Sequence, residues 1–206
     1  MSFAFLTTGA AAAPARSPMA RQAAGAGARF ETRDGWSVAV AYAGEAGALQ
    51  AVGFADVSHL PKWELCGALP PGLEPGTATT DNGSTWLPMT RDRALVLGAR
   101  PGEAALEVTS AYGALRIAGP LARETCARFT ALDLRPRVCP PGAWRPGSVA
   151  RTPGGILCEA EDRYLMLFGA ALGQYMWTVV DDVARYLGGG PVGADVLARE
   201  EAAAGA

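Results

Sequence analysis

Apolar and polar positions alternate in short runs along this chain, and a longer helical stripe appears near its end. "WSVAVAY" (36–42) sets Trp36, Val38 and Val40 against smaller residues and predicts a strand. "EAGALQAVG" (45–53) predicts a short helix ended by Gly53. "KWELCG" (62–67) alternates Trp63 and Leu65 with Lys62 and Glu64, the pattern of a half-buried strand. The stretch 68–85 is crowded with Pro and Gly and predicts a loop. "STWLPM" and "RALVLG" predict a hairpin around "TRDR", with Pro88 pushing its first arm toward an edge. "GALRIAG" (113–119) is a further strand, and "PLARETCARFTAL" (120–132) predicts a helix with Pro120 in its first turn. "RVCPPGAWRPGSVART" is strand-like but broken by prolines, and "GGILCE" and "RYLMLFG" flank a turn at Glu161 and Asp162. In "ALGQYMWTVVDDVARYLGGG", Leu172, Tyr175, Met176, Val179, Val180, Val183 and Leu187 follow helical spacing, and glycines end the run.

An internal echo runs through these elements. "DVSHLPKWELCG" from Asp56 aligns without a gap onto "VTSAYGALRIAG" from Val108, 52 residues later. Ser58 matches Ser110, Trp63 matches Leu115, Leu65 matches Ile117 and Gly67 matches Gly119. "DRALVLG" from Asp92 likewise echoes "DRYLMLFG" from Asp162. The reading is an α+β fold of two fused strand-helix-hairpin subdomains. The domain spans 29–190, in halves of about 29–105 and 106–190. Residues 1–28 read as a flexible Ala-rich leader and 191–206 as a mobile tail.

Composition narrows the function classes. Half of the 206 residues are hydrophobic and 18% are charged, enough to form a core. A formal net charge of -2 offers no basic surplus for nucleic acid or an anionic membrane. No run approaches the ~20 apolar residues of a membrane span. "MSFAFLTTGAAAAPARSP" lacks the basic start of an export signal, so a cytoplasmic protein is expected. Cys66, Cys126, Cys139 and Cys158 form no C-x-x-C pair, and with a single histidine they read as reduced thiols rather than zinc ligands.

The chemistry candidates are few. His59, the only histidine, follows Asp56 and Ser58. Neighbours on an extended segment point to opposite faces, so Ser58 and His59 do not form a dyad. Asp56 and Ser58 read as braces of a turn, and His59 as a turn histidine that bonds backbone. Asp181 and Asp182 diverge by about 100° on a helix and read as a solvated face. Trp144, on a proline-rich loop, reads as an exposed anchor for a partner protein.

The residues resemble a family. "GARFETRDGWSVAVAY" followed by "ALQAVGFADVSHLPKWELCG" is similar to the opening of the aminomethyltransferase T-proteins of the glycine cleavage system. From residue 107 onward the Gly-Pro-x-Ala-Arg helix, "LDLRP", a Pro-Gly, an Arg-Thr and the Tyr-x-Trp of the final helix resemble the gamma subunit of heterotetrameric sarcosine oxidase. The resemblance covers about residues 17 to 190. It implies a folate-binding-type α+β fold built by duplication and lacking the C-terminal barrel. "PGGILCEAED" carries Leu157 and Cys158 where T-proteins carry acids, and the later Gly-Tyr-Thr-Gly-Glu motif is absent. Losing the acid that holds a pterin leaves its polar edge unpaired. The resemblance therefore implies a non-catalytic gamma-type subunit, partnered by alpha, beta and delta subunits. FAD, FMN, NAD and tetrahydrofolate would be held by the partners. The reaction implied is oxidative demethylation of sarcosine to glycine, with the one-carbon unit passed to tetrahydrofolate. Asp56, Ser58 and His59 are the folate-site candidates on this chain, with Glu159 or Glu161 as substitute acids. Trp144, Tyr175 and Trp177 are the partner-interface candidates. A stand-alone folate-binding or aminomethyl-transfer protein is the alternative reading.

Overall fold

A computed structural model describes residues 13–204. The elements are β1 (Ala15–Arg16), α1 (Ala20–Gly25), β2 (Arg29–Arg33), β3 (Trp36–Ala41), α2 (Glu45–Ala48), β4 (Gly53–Asp56) and β5 (Lys62–Cys66). Then come β6 (Thr79–Asp81), β7 (Ser84–Thr90), β8 (Arg93–Gly98), β9 (Leu106–Glu107), β10 (Tyr112–Ala118) and α3 (Ala122–Ala127). β11 (Trp144–Val149), β12 (Thr152–Ala160), β13 (Arg163–Gly169), α4 (Gly173–Tyr186), β14 (Gly190–Pro191) and α5 (Ala194–Ala204) complete the chain.

The strands form three sheets, ordered β1-β3-β2, β11-β12-β13-β10-β4-β14 and β6-β7-β8-β5-β9. The two larger sheets share a plan. Each has a strand paired antiparallel to the second arm of a later hairpin, in corresponding register: Cys66↔Arg93 and Lys62↔Leu97 in one, Ala118↔Arg163 and Ala114↔Leu167 in the other. Both hairpins carry a bulge at the corresponding place, between Pro88 and Thr90 and between Cys158 and Ala160. The edge strands are exchanged. β4, from the first half of the chain, joins the sheet of the second half, and β9 crosses the other way. β6 covers only Ser84–Trp86 of β7, so Pro88 lies where no neighbour needs its missing N–H.

Local chemistry explains the elements. Asp34–Gly35 and Asn82–Gly83 turn two-residue hairpins with positive φ at both residues, which Asp-Gly and Asn-Gly adopt readily. α4 buries Gly173, Met176, Trp177, Val180 and Ala184, one stripe at helical spacing. It closes with Gly188 at φ +86, while the Gly189 N–H donates to the Ala184 carbonyl at 2.8 Å and the Gly188 N–H to that of Arg185 at 3.0 Å. These paired bonds satisfy the last helical carbonyls. Phe54 of β4 meets Trp177 edge-on, ring centres 5.0 Å apart, in the main core.

Several expectations are corrected. Residues 15–28, read as part of a flexible leader, hold β1 paired to β3 and α1, with Met19 and Ala23 fully buried. The part of that leader in residues 1–12 lies outside the described residues. Residues 191–204, read as tail, close β14 and form α5, whose Leu197 packs with Val192 in a second core. Gly53 begins a strand rather than ending a helix, and α3 starts two residues after Pro120. Thr79–Asp81, read as loop, is β6. Trp144 opens β11 and is 1% exposed, so it is no surface anchor; its ring packs where Gly155 leaves no Cβ. Trp177 is 4% exposed and belongs to the core. The sequence-read stripe of α4 runs one position off the buried one, which hid Trp177 from the pattern. No helix among the described residues is long and apolar enough to cross a membrane.

Candidate functional site

β4 ends in Asp56, and the chain turns through Ser58 and His59 before β5 begins at Lys62. The turn is tied from within. The Ser58 N–H donates to Asp56 Oδ1 at 3.0 Å, the turn-brace geometry of an aspartate two residues upstream. Ser17, between β1 and α1, donates its hydroxyl to Asp56 Oδ2. Ser58 Oγ accepts the Ala114 N–H of β10 at 3.1 Å. Three segments far apart in sequence thus meet on one buried carboxylate and one buried hydroxyl.

Lys62 completes the cluster. It is fully buried, although alternation placed it on the solvent side of its strand. Its ammonium donates to the carbonyls of Ser58 and Leu60, both at 2.8 Å. Burial pulls its pKa down to about 8, against the pull of Asp56 in the other direction. Burial likewise raises the Asp56 pKa, while bonds from Ser17 and Ser58 lower it less. The one signal for Lys62 in the sequence was its identity: a single lysine among seventeen arginines. A compact ammonium fits between the two carbonyls of this turn, and a planar guanidinium does not.

The other candidates separate. His59 lies half-buried in the turn, its pKa lowered by burial and then by the nearby Lys62 and Arg33 charges. Its protonation is disfavoured, and it joins neither Asp56 nor Ser58 in a hydrogen bond among the described residues. Glu159 sits on the bulge of β12 and is held by Arg116, Nη2 to Oε1 at 2.8 Å, with Arg163 3.6 Å from Oε2. Glu161 is exposed. Tyr42 is buried, and burial followed by the Asp56 charge raises its pKa. Ser17 borders a cleft of about 670 Å³ with Arg16, Arg21, Phe30 and Gln174. Asp56 reaches that cleft only through the Ser17 hydroxyl. Among the described residues no group of three or more His, Cys, Asp or Glu side chains is arranged to hold a metal ion. Cys126, Cys139 and Cys158 are buried free thiols and Cys66 is an exposed one.

Chemically the cluster is a latch. Both oxygens of Asp56 are engaged, and the Lys62 ammonium closes the carbonyls of the turn. The residues present do not fit a pterin, which needs an acid with free oxygens facing a cavity.

No protein-family model matches the chain, and no curated protein matches its sequence. Solved structures do match its fold. A chain of the heterotetrameric sarcosine oxidase from Corynebacterium sp. U-96, in complex with pyrrole 2-carboxylate, aligns with a TM-score of 0.64 at 19% identity. That alignment covers 86% of this chain and 98% of the other. The glycine cleavage system aminomethyltransferase T from Bartonella henselae aligns with a TM-score of 0.64 at 16% identity, over 88% of this chain. This chain spans 60% of that one. Its structural neighbours are thus heterotetrameric sarcosine oxidase and aminomethyltransferase T, and what it shares with both is a mixed α+β fold dominated by sheets.

Proposed function

We propose that this chain is a non-catalytic, gamma-type subunit of a heteromeric, cytoplasmic sarcosine oxidase-like complex. The observation that carries this reading is end-to-end agreement in fold with a sarcosine oxidase chain, 98% of which is covered, joined to a candidate site whose acids Asp56 and Glu159 are engaged internally. The matched registers of the two larger sheets support an origin by duplication. In this reading alpha, beta and delta partners carry FAD, FMN, NAD and tetrahydrofolate. The complex demethylates sarcosine oxidatively to glycine and passes the one-carbon unit to folate. This chain braces the larger subunits and contributes no reacting group.

The test is co-expression with candidate flavoprotein subunits followed by purification through a tag on this chain. A stable yellow complex of fixed stoichiometry is expected. The second reading, a stand-alone folate-binding protein, rests on Asp56, Ser58 and His59. Calorimetry on the purified chain decides it: stoichiometric tetrahydrofolate binding, abolished in Asp56→Asn, would overturn the subunit reading.

A further inference from the structure

A groove of about 430 Å³ runs between α4, the segment after α3 and the β11–β12 turn. Its floor is Phe129, Tyr175 and Val179, and Arg128 and Arg151 stand at its rim. Tyr175 is 45% exposed, yet its hydroxyl is fixed by a 3.0 Å bond to the Ala150 carbonyl. Tyr186, 77% exposed, continues the aromatic face three turns along α4 and stacks under Arg128, 4.8 Å from guanidinium carbon to ring centre.

No acidic residue lines the groove. Arg128 shares its charge with Glu124, one turn earlier. Arg151 has no ion-pair partner among the described residues. The chain as a whole carries a formal charge of -2, so this basic rim is a local departure and not a background property. The backbone sets it apart as well. The β11–β12 turn places Ala150 at φ +47 and Arg151 at φ +63, a conformation that costs a residue with a Cβ on the order of 1 kcal/mol or more. The other two hairpins with positive φ at both turn residues use Asp-Gly and Asn-Gly. Here the strained position carries an arginine beside an aromatic floor.

We propose that this groove docks an acidic polypeptide segment of a partner subunit, a carboxylate meeting Arg151 and Arg128 while an apolar neighbour covers Tyr175 and Val179. Rigid tyrosines and arginines around an apolar floor are the residue types that dominate binding energy at protein interfaces. The assignment deepens the subunit reading and rests on it for the identity of the partner.

The test begins with the whole chain, immobilised and panned against displayed random short peptides. Peptides with Asp or Glu beside an aromatic or aliphatic residue are expected. A selected peptide should lose about tenfold or more in affinity for Arg151→Asn and for Arg128→Gln. Asn suits the left-handed turn, so Arg151→Asn keeps the fold, which circular dichroism verifies. Selection of acid-free peptides, or undiminished binding to both variants, overturns the proposal. In a purified flavoprotein complex the same variants should shed this chain at lower salt than the wild type. Wild-type behaviour of both variants there would leave the subunit reading standing and remove this surface from it. Acidic peptides selected at the groove by a chain that joins no flavoprotein would keep the surface and end the subunit reading.

Discussion

The β6–β7 and β11–β12 hairpins hold the same place in the two larger sheets, yet they turn on different residues. Asn82–Gly83 serves the first and Ala150–Arg151 the second. The first turn follows local preference. The second opposes it, and is held because β12 and β13 are long strands with buried centres, whereas β6 is short and exposed. A sheet with a strong core tolerates a costly turn, and a weak edge needs a favourable one.

That contrast is best broken at the core of the stronger hairpin. Trp144→Ala should cost about 3–5 kcal/mol in urea unfolding, the range for a buried aromatic, while Thr80→Ala on β6 should stay within about 0.5 kcal/mol. Equal losses would mean that the two hairpins are equally anchored. Lys62 and Ala114 occupy matching positions opposite Leu97 and Leu167, so the lysine supplies the next test. Its pKa falls to about 8 on folding from an ordinary 10.5, so between these pH values the unfolded chain binds more protons. Stability must then rise with pH across that window, by on the order of 3 kcal/mol at most, and the Lys62→Met variant must lack the rise. Denaturation midpoints of both proteins between these limits check it; parallel profiles would refute a buried lysine.

Smaller effects sharpen the turns themselves. Gly83→Ala should destabilise by about 1 kcal/mol, because Gly83 sits at φ +74. Arg151→Asn should stabilise by about 0.5–1 kcal/mol by relieving the same conformation. Thermal melts of the pair should shift in opposite directions. Smallest of all, Glu124→Gln, which breaks an exposed pair with Arg128, should change stability by about 0.5 kcal/mol or less.

Much of this architecture was readable from the sequence, and the misses share a cause. β3, β5, β7, β8, β10, β12, β13 and α4 were found because each buries one face or a whole strand, which leaves a period. β1 and α1 escaped because their hold on the core is Met19 and Ala23 in a run of alanines, too few apolar residues to make a pattern. α5 escaped in the same way. At the site, Asp56 and Ser58 were legible as turn braces because their bond is local. Ser17 and Ala114 were not, since only the tertiary fold brings them there. Lys62 was misplaced because alternation assumes that charge faces water. The groove around Arg151 was invisible: the strain of its turn is a backbone property, and Ala-Arg carries no turn signature.

The exchange of β4 and β9 has a consequence for how the molecule forms. β5 through β8 leave the ribosome before β9, so the edge of β5 stays open until β9 arrives, and β4, made earlier, waits longer still for β10. Contacts so remote along the chain slow folding, and an open strand edge in the meantime invites association with other nascent chains. The halves are therefore expected to fold in one cooperative step. A chain nicked between Gly98 and Leu106 would regain its shape only if the two pieces recombine.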